Sequence, residues 1–217
     1  MITNKQCKAA RALLNWTKSE LSEKSEVNIN VISRFERGTQ ETSAEKVSAI
    51  KLAFLRNDIE FIGKSGVSIK EDTAELISGS DCTQQLWKKI LNSFNEEEGG
   101  EVLVTHVDER RGLTKHGEAL NDYLEQLQSR GITERILSCE GDAFFLMPPL
   151  CYRWLPKHIF NHARTCYVFN GCVAIQCWDS DTIIYVRNHK AFLSEKDHFE
   201  KLWRNALIPQ LPQLVSN

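Results

Sequence analysis

The stretch NINVISRFERG, Asn28 to Gly38, sets two amides, two guanidiniums and a hydroxyl among four apolar side chains. Wound as a helix, it buries Ile32 and Phe35. That turns Asn28, Ile29, Asn30, Ser33, Arg34 and Arg37 outward. The outward set suits a duplex groove. Asn can bond adenine through both halves of its amide, Arg can bond guanine or reach a phosphate, and an exposed Ile can pack on a thymine methyl. The first helical turn adds free N–H groups and a positive dipole end, which favour phosphate.

The flanking sequence carries the signals needed to hold such a helix. Asn28 caps it and Gly38 ends it. Thr17 followed by Glu20 is a capping box for a preceding helix anchored by Leu21, and Ser25-Glu26-Val27 is a short turn between the two. Ser22 is small where the two helices must approach. Two short helices joined by so tight a turn have helix-turn-helix geometry. A further capping box, Thr3 with Gln6, opens a first helix with Ala10, Leu13 and Leu14 at helical spacing. Ser43 caps a fourth helix carrying Val47, Ile50 and Leu55. Residues 59–70, IEFIGKSGVSIK, alternate around a Lys-Ser-Gly turn and read as a small β-hairpin. The expectation for residues 1–70 is an all-α helix-turn-helix domain of four helices plus that hairpin.

The run LLNWTKSELSEKSEVNINVISRFERG resembles the helix-turn-helix of the lambda-repressor/Cro class, also called the xenobiotic-response-element family. The resemblance rests on Thr17-x-x-Glu20-Leu21, on Val27, on Ile32-Ser33-Arg34-Phe35-Glu36-Arg37-Gly38, and on the earlier Arg11, and it covers about 60 residues. It implies double-stranded DNA as the partner. Thr17, Lys18 and Arg37 would touch phosphate, and Ile29, Asn30, Ser33 and Arg34 would read bases beside the capping Asn28. Arg11 would pair with Glu36. Three positions depart from the family pattern. Glu26 stands where Gly is usual and must adopt a positive φ at some cost. Ile29 replaces a polar residue, and Lys18 replaces a Gln. A single such module makes about 5 to 8 phosphate contacts and binds weakly at physiological salt. Members of the class therefore dimerise, with two reading helices about one DNA turn apart on a palindrome. Some antitoxins of the class bind a protein partner as well as DNA, which is the alternative function.

The rest of the chain is built differently. Residues 71–80, EDTAELISGS, read as a linker. Residues 81–217 then read as an α/β domain. A helix with Leu86, Trp87, Ile90 and Leu91 leads to the strand GGEVLVTHV, a helix over 114–130 and the strand ERILSCEG, a β-α-β pattern that predicts a parallel pair. NEEEGG at 95–100 reads as a frayed helix end. MPPLCYRWLP looks too proline-rich for regular structure. Asn170-Gly171 and Asp179-Ser180-Asp181 mark the two turns of a three-strand meander. A last helix over about 191–206 carries Phe192, Phe199, Leu202 and Trp203, ahead of a loose or surface-docked tail. The strand order and the closing segment weakly resemble a phospholipase-D-like half domain, as in sugar-sensing archaeal regulators. Catalysis in that family needs His-x-Lys, which is absent here; His189-Lys190 has the wrong spacing. The resemblance thus implies a catalytically silent domain that dimerises or senses a ligand, and no enzyme activity is expected.

Asp108, Glu109, Arg110 and Arg111 follow the first strand of this half at its carboxyl end, where ligands gather in open α/β sheets. Of these, Asp108, Arg110 and Arg111 form the candidate effector site with Arg153 and Trp154. Seven cysteines without CxxC or zinc spacing read as buried thiols, so neither metal nor cofactor is expected; a redox switch among Cys166, Cys172 and Cys177 is a minor alternative. Net charge is −2 over the chain. The halves differ, with 12 Lys+Arg against 8 Asp+Glu in residues 1–70 and 15 against 21 in the remainder. A modestly basic head on an acidic body suits a polyanion-binding module joined to a second function. No long apolar run predicts a membrane span and no signal peptide is apparent. The sequence therefore predicts a cytoplasmic, bacterial-type transcriptional regulator, homodimeric on DNA.

Overall fold

A computed structural model describes residues 1–39, 41–69, 71–94 and 99–210. The chain divides into two compact units, residues 1–71 and 72–217.

The first unit holds α1 (Asn4–Leu13), α2 (Lys18–Ser25), α3 (Ile29–Arg37), α4 (Ala44–Leu55) and the antiparallel hairpin β1 (Ile59–Ile62) and β2 (Gly66–Ile69). Both capping boxes form in full, at Thr3 with Gln6 and at Thr17 with Glu20. Gln6 does more than cap. Its Nε2 donates to the Gly63 and Gly66 carbonyls at 3.1 and 3.0 Å, which ties the hairpin to α1. Leu21, Ile32, Ile50, Phe54 and Ile59 are wholly buried at the centre of the unit. Leu13 was expected in this core but is 43% exposed. The inward face of α1 runs through Gln6, Cys7 and Ala10 and on to Leu14, which packs against the core, while Leu13 lies at the edge of that face in the last turn.

The turn between α2 and α3 has the strain that its sequence implies. Glu26 takes the left-handed conformation, with φ 57° and ψ 19°. An L side chain there costs on the order of 1 kcal/mol, which glycine escapes. Glu26→Gly is expected to stabilise the unit by about 0.5–1 kcal/mol, read as a higher midpoint of urea unfolding. Hydroxyls support the turn. Ser22 Oγ donates to the Val27 carbonyl at 2.7 Å, and Ser25 Oγ to the Leu21 carbonyl at 2.6 Å.

The second unit runs β3 (Thr73–Ser78), α5 (Cys82–Ser93), β4 (Gly100–Val107), α6 (Glu109–His116), α7 (Glu118–Ser129), β5 (Ile132–Cys139), β6 (Tyr152–Leu155), β7 (Arg164–Phe169), β8 (Cys172–Cys177), β9 (Thr182–Arg187) and α8 (His189–Asn205). One seven-stranded sheet has the order β3-β9-β8-β7-β4-β5-β6. β4, β5 and β6 are mutually parallel, and the other pairings are antiparallel. The β-α-β pair and the meander expected from the sequence are both present. Asn170 and Gly171 each have positive φ, as a two-residue hairpin of this kind requires. Trp87, Ile90, Tyr123 and Leu127 cover one sheet face from α5 and α7, while Phe199 and its half-buried neighbours Leu202 and Trp203 cover the other from α8.

Three expectations are corrected. The 71–80 linker is largely β3, which pairs with β9 from Thr73↔Arg187 to Ser78↔Thr182. Its polar composition reflects an edge strand on which Ile77 alone is buried. MPPLCYRWLP contains a strand as well. The prolines flank Tyr152–Leu155 and leave its N–H groups free to pair with β5. The helix over 114–130 is in fact two, α6 and α7, broken at Gly117 with φ 45°. Residues 95–98 and 211–217, parts of the expected frayed end and of the tail, lie outside the described residues. The start of the tail is anchored, since Leu207 exchanges backbone hydrogen bonds with Trp154.

Candidate nucleic-acid interface

The α3 helix begins where the Asn28 side chain accepts from the Asn30 N–H at 2.9 Å. It ends at Gly38 in the left-handed conformation. Wholly buried Ile32 and half-buried Val31 and Phe35 fix which way it faces. Asn28, Ile29, Asn30, Arg34 and Arg37 are then exposed, and Ser33 is half-buried. Ile29 is 40% exposed, so an apolar surface sits among amides and guanidiniums as a thymine methyl would require. Arg37 is partly anchored, its Nε donating to the Ser33 carbonyl at 3.0 Å.

A buried ion pair locks α3 to α1. Arg11 Nε and Nη2 reach the two carboxylate oxygens of Glu36 at 2.8 and 3.2 Å. Arg11 Nη1 donates to the Trp16 carbonyl at 2.8 Å. The Glu36 side chain is only 4% exposed. Lys18 Nζ stands 4.0 Å from the same carboxylate, so this expected phosphate contact also faces inward charge. The Thr17 hydroxyl is engaged in its capping box, donating to Glu20 at 2.8 Å and accepting from the Glu20 N–H at 3.2 Å. Burial beside Glu36 pushes the Cys7 thiol up to about 12, so it is an inert part of this cluster.

Beside α3 lies a groove of about 200 Å³ lined by Val31, Arg34, Glu41, Thr42, Ser43 and Lys46. Thr42 and Lys46 were not among the residues singled out in the sequence. Ser43 was read only as a cap, yet its side chain makes no capping hydrogen bond to α4. A hydroxyl, a helix N-terminus and Lys46 thus meet next to the base-reading candidate Arg34. The legible signal was Ser43 followed by Lys46 at i+3.

In the second unit the candidate effector residues fall into separate settings. Asp108 caps α6 by accepting from the Arg111 N–H at 3.1 Å. Arg110 pairs with Asp142 at 2.7 Å, and Trp154 Nε1 donates to the Asp142 carbonyl at 2.7 Å, so these two converge on one residue. Arg111 turns elsewhere, to Asp179 at 2.9 Å and over the Trp178 ring at 5.1 Å. Arg153 lies over Trp203 at 4.7 Å and donates to its carbonyl at 2.6 Å. The five do not line one cavity.

A different set of residues converges between the sheet and α5–α7. Glu109, named from the sequence only within the charged run after the first strand, and Glu134, not proposed from the sequence, line a cavity of about 50 Å³ with Trp87, Tyr123, Tyr167 and Trp178. Glu109 accepts from the Tyr152 hydroxyl and from the Leu146 N–H. Glu134 accepts from the Tyr123 hydroxyl at 3.0 Å. Burial pushes both carboxyls up from 4.5 to about 7, against the hydrogen bonds that favour their ionised forms. The alternation of β5 carries a signal for Glu134, which occupies an inward position between Ile132 and Ile136. A carboxyl that keeps its proton to about pH 7 when folded and to 4.5 when unfolded stabilises the fold fully below 4.5, and that contribution is lost as pH rises through 7. Glu134→Gln is therefore expected to leave stability unchanged at pH 5 and to raise it at pH 8, by roughly 1–3 kcal/mol in urea unfolding. Apart from this cavity, His106 takes a left-handed φ of 64° where the β4–β5 register shifts. Burial pushes its imidazole down to about 4, and its Nδ1 accepts from the Asn161 N–H at 3.2 Å.

Among the described residues no helix is long and apolar enough to cross a membrane, and no group of His, Cys, Asp and Glu is arranged to hold a metal.

Residues 8–54 match the family described as Helix-turn-helix, and this stretch spans α2, its turn and α3. The N-terminal unit therefore carries a DNA-binding helix-turn-helix of the lambda-repressor/Cro type. A search of curated proteins returns no match. Similar solved structures include NucT from Helicobacter pylori, at 10% identity and a TM-score of 0.45, over 64% of this chain and 100% of that one. Nuc from Salmonella typhimurium, a phospholipase D family member, is similar at 10% identity and a TM-score of 0.45, over 65% of this chain and 100% of that one. TrmBL2, an archaeal chromatin protein, is similar at 15% identity and a TM-score of 0.41 over 63% of this chain; the matched region spans about half of that protein, 55%.

Proposed function

We propose that the chain is a sequence-specific transcriptional regulator that binds a palindromic duplex as a homodimer. Its second unit is non-catalytic, supplies the dimer contact and takes a small effector. The observation that carries the reading is the orientation of α3. Ile32 is wholly buried while Asn28, Ile29, Asn30, Arg34 and Arg37 stand in solvent, within a segment that matches the helix-turn-helix family. Arg34 and Asn30 are read as base contacts. Lys18, Arg37 and the Ser43–Lys46 groove are read as phosphate contacts.

Two features support dimerisation through the second unit. One module alone binds non-specific DNA with a dissociation constant of only about 10⁻⁴–10⁻⁶ M at physiological salt, so a second copy is needed for useful affinity. The aromatic face of α8, considered for this role from sequence, packs largely into its own core, with Phe199 1% exposed. The edge strand β3 is open instead, and its Leu76, 67% exposed, lies opposite Ile184, 44% exposed. The absence of His-x-Lys from the sequence supports a non-catalytic second unit.

Regulation would follow if an effector favours one arrangement of the dimer and so changes the fraction able to span both half-sites. The test is stoichiometry on DNA. The full-length protein, sedimented with its preferred duplex, is expected to load two chains per site and to protect two half-sites about one helical turn apart. One chain per duplex, or a single protected half-site, contradicts the dimer.

A further inference from the structure

The cavity between the sheet and α5–α7 has a chemical bias of its own. Four aromatic side chains and three carboxyls line it, namely Trp87, Tyr123, Tyr167, Trp178, Asp108, Glu109 and Glu134, together with aliphatic residues and Thr165. No Lys, Arg or His is among its lining residues. Of its lining residues Val107, Asp108, Leu124 and Leu146 are half-buried and the rest are buried. Trp87 and Tyr123 stack at 5.1 Å and 11°, so their orientation is set before any ligand arrives. We propose that this cavity is a binding site for a small organic ammonium ion, held by the carboxylate of Glu134 against the aromatic walls.

Charge and size both point to that class. Ring faces and carboxylates attract cations and repel anions. A buried carboxylate without a counter-charge is costly, and a monocation supplies one. Burial already holds both carboxyls up at about 7, so at neutral pH an entering cation can take over from a bound proton. Arg111 and Lys115 stand over Trp178 at 5.1 and 5.8 Å, so the ring already attracts cations although neither residue lines the cavity. A volume of about 50 Å³ is several times the roughly 10–15 Å³ that one water occupies on a comparable measure, which suits about four non-hydrogen atoms. Trimethylammonium has that size. A ligand so small binds at best in the tens-of-micromolar range.

The inference rests on the second unit alone and holds or fails independently of DNA binding. The full-length protein is titrated with trimethylammonium chloride at pH 7. Potassium chloride at equal ionic strength and isopropanol, which is neutral and of equal atom count, serve as controls, with tryptophan fluorescence and thermal unfolding as readouts. Saturable binding of trimethylammonium alone is expected. Glu134→Gln keeps an acceptor for Tyr123 and removes the charge; it is expected to weaken binding at least tenfold while its unfolding at pH 5 matches wild type. No saturable response to trimethylammonium beyond that of potassium chloride overturns the proposal. So does an equal response to isopropanol, or undiminished binding by Glu134→Gln.

Discussion

Arg11→Ala is expected to destabilise the N-terminal unit by about 2–4 kcal/mol, a large part of what a domain of this size possesses. The Glu36 carboxylate is 4% exposed and takes both of its short contacts from Arg11, at 2.8 and 3.2 Å. With the guanidinium gone, the remaining neighbours are Lys18 at 4.0 Å and the Cys7 thiol at 4.0 Å, too long to satisfy a buried charge. The Trp16 carbonyl loses its donor as well. Glu36→Gln in the Arg11→Ala background removes the stranded charge and is expected to recover part of the loss. Hydrogen exchange resolved to peptides from residues 1–71 reads this effect without interference from the second unit. Unchanged protection of α1 and α3 in Arg11→Ala would show that the pair does not hold the helix-turn-helix together.

The second large effect concerns DNA. Arg34→Ala is expected to weaken binding to the preferred site by about 1–3 kcal/mol while leaving non-specific DNA nearly unaffected, because a base contact carries discrimination. Lys18→Ala is expected to weaken every sequence by a similar amount and to reduce the salt slope by about one, because a phosphate contact releases one counterion whatever the base. Titrations at several salt concentrations, on the preferred duplex and on a scrambled one, separate the two. Equal loss on both duplexes for Arg34→Ala would return that residue to the backbone class.

Much of the first unit was legible in the residues. Thr3, Thr17, Asn28 and Gly38 each mark a helix end by a local rule, and each does so in the structure. The positive φ of Glu26 was legible through the family resemblance, which places a Gly at that turn position. The same local rules explain the misses. Leu13 was placed by its helical spacing with Ala10 and Leu14, but it lies at the edge of the inward face of α1, in its last turn, and stays 43% exposed. The β3 strand hid behind an edge strand's polar composition, and β6 behind prolines that lie outside it.

The second unit's chemistry was less legible for a related reason. Charged residues at the end of β4 drew attention to Arg110 and Arg111, but Asp142 and Asp179 already partner them. The carboxyls that gather in a cavity, Glu109 and Glu134, come from different elements, and only tertiary packing brings them beside Trp87 and Tyr167. Sequence spacing turns Glu134 inward on β5 but does not show that it meets Glu109 there.

The central claim is that the exposed face of α3 reads DNA sequence. Selection from a random duplex library, run in parallel with wild-type protein and with the Asn30→Ala/Arg34→Ala double variant, tests it most directly. The account predicts that wild type enriches a palindrome and that the variant loses preference at matching positions of both half-sites while still retaining DNA. Enrichment of the same palindrome by both proteins, or of no sequence by wild type, would contradict it.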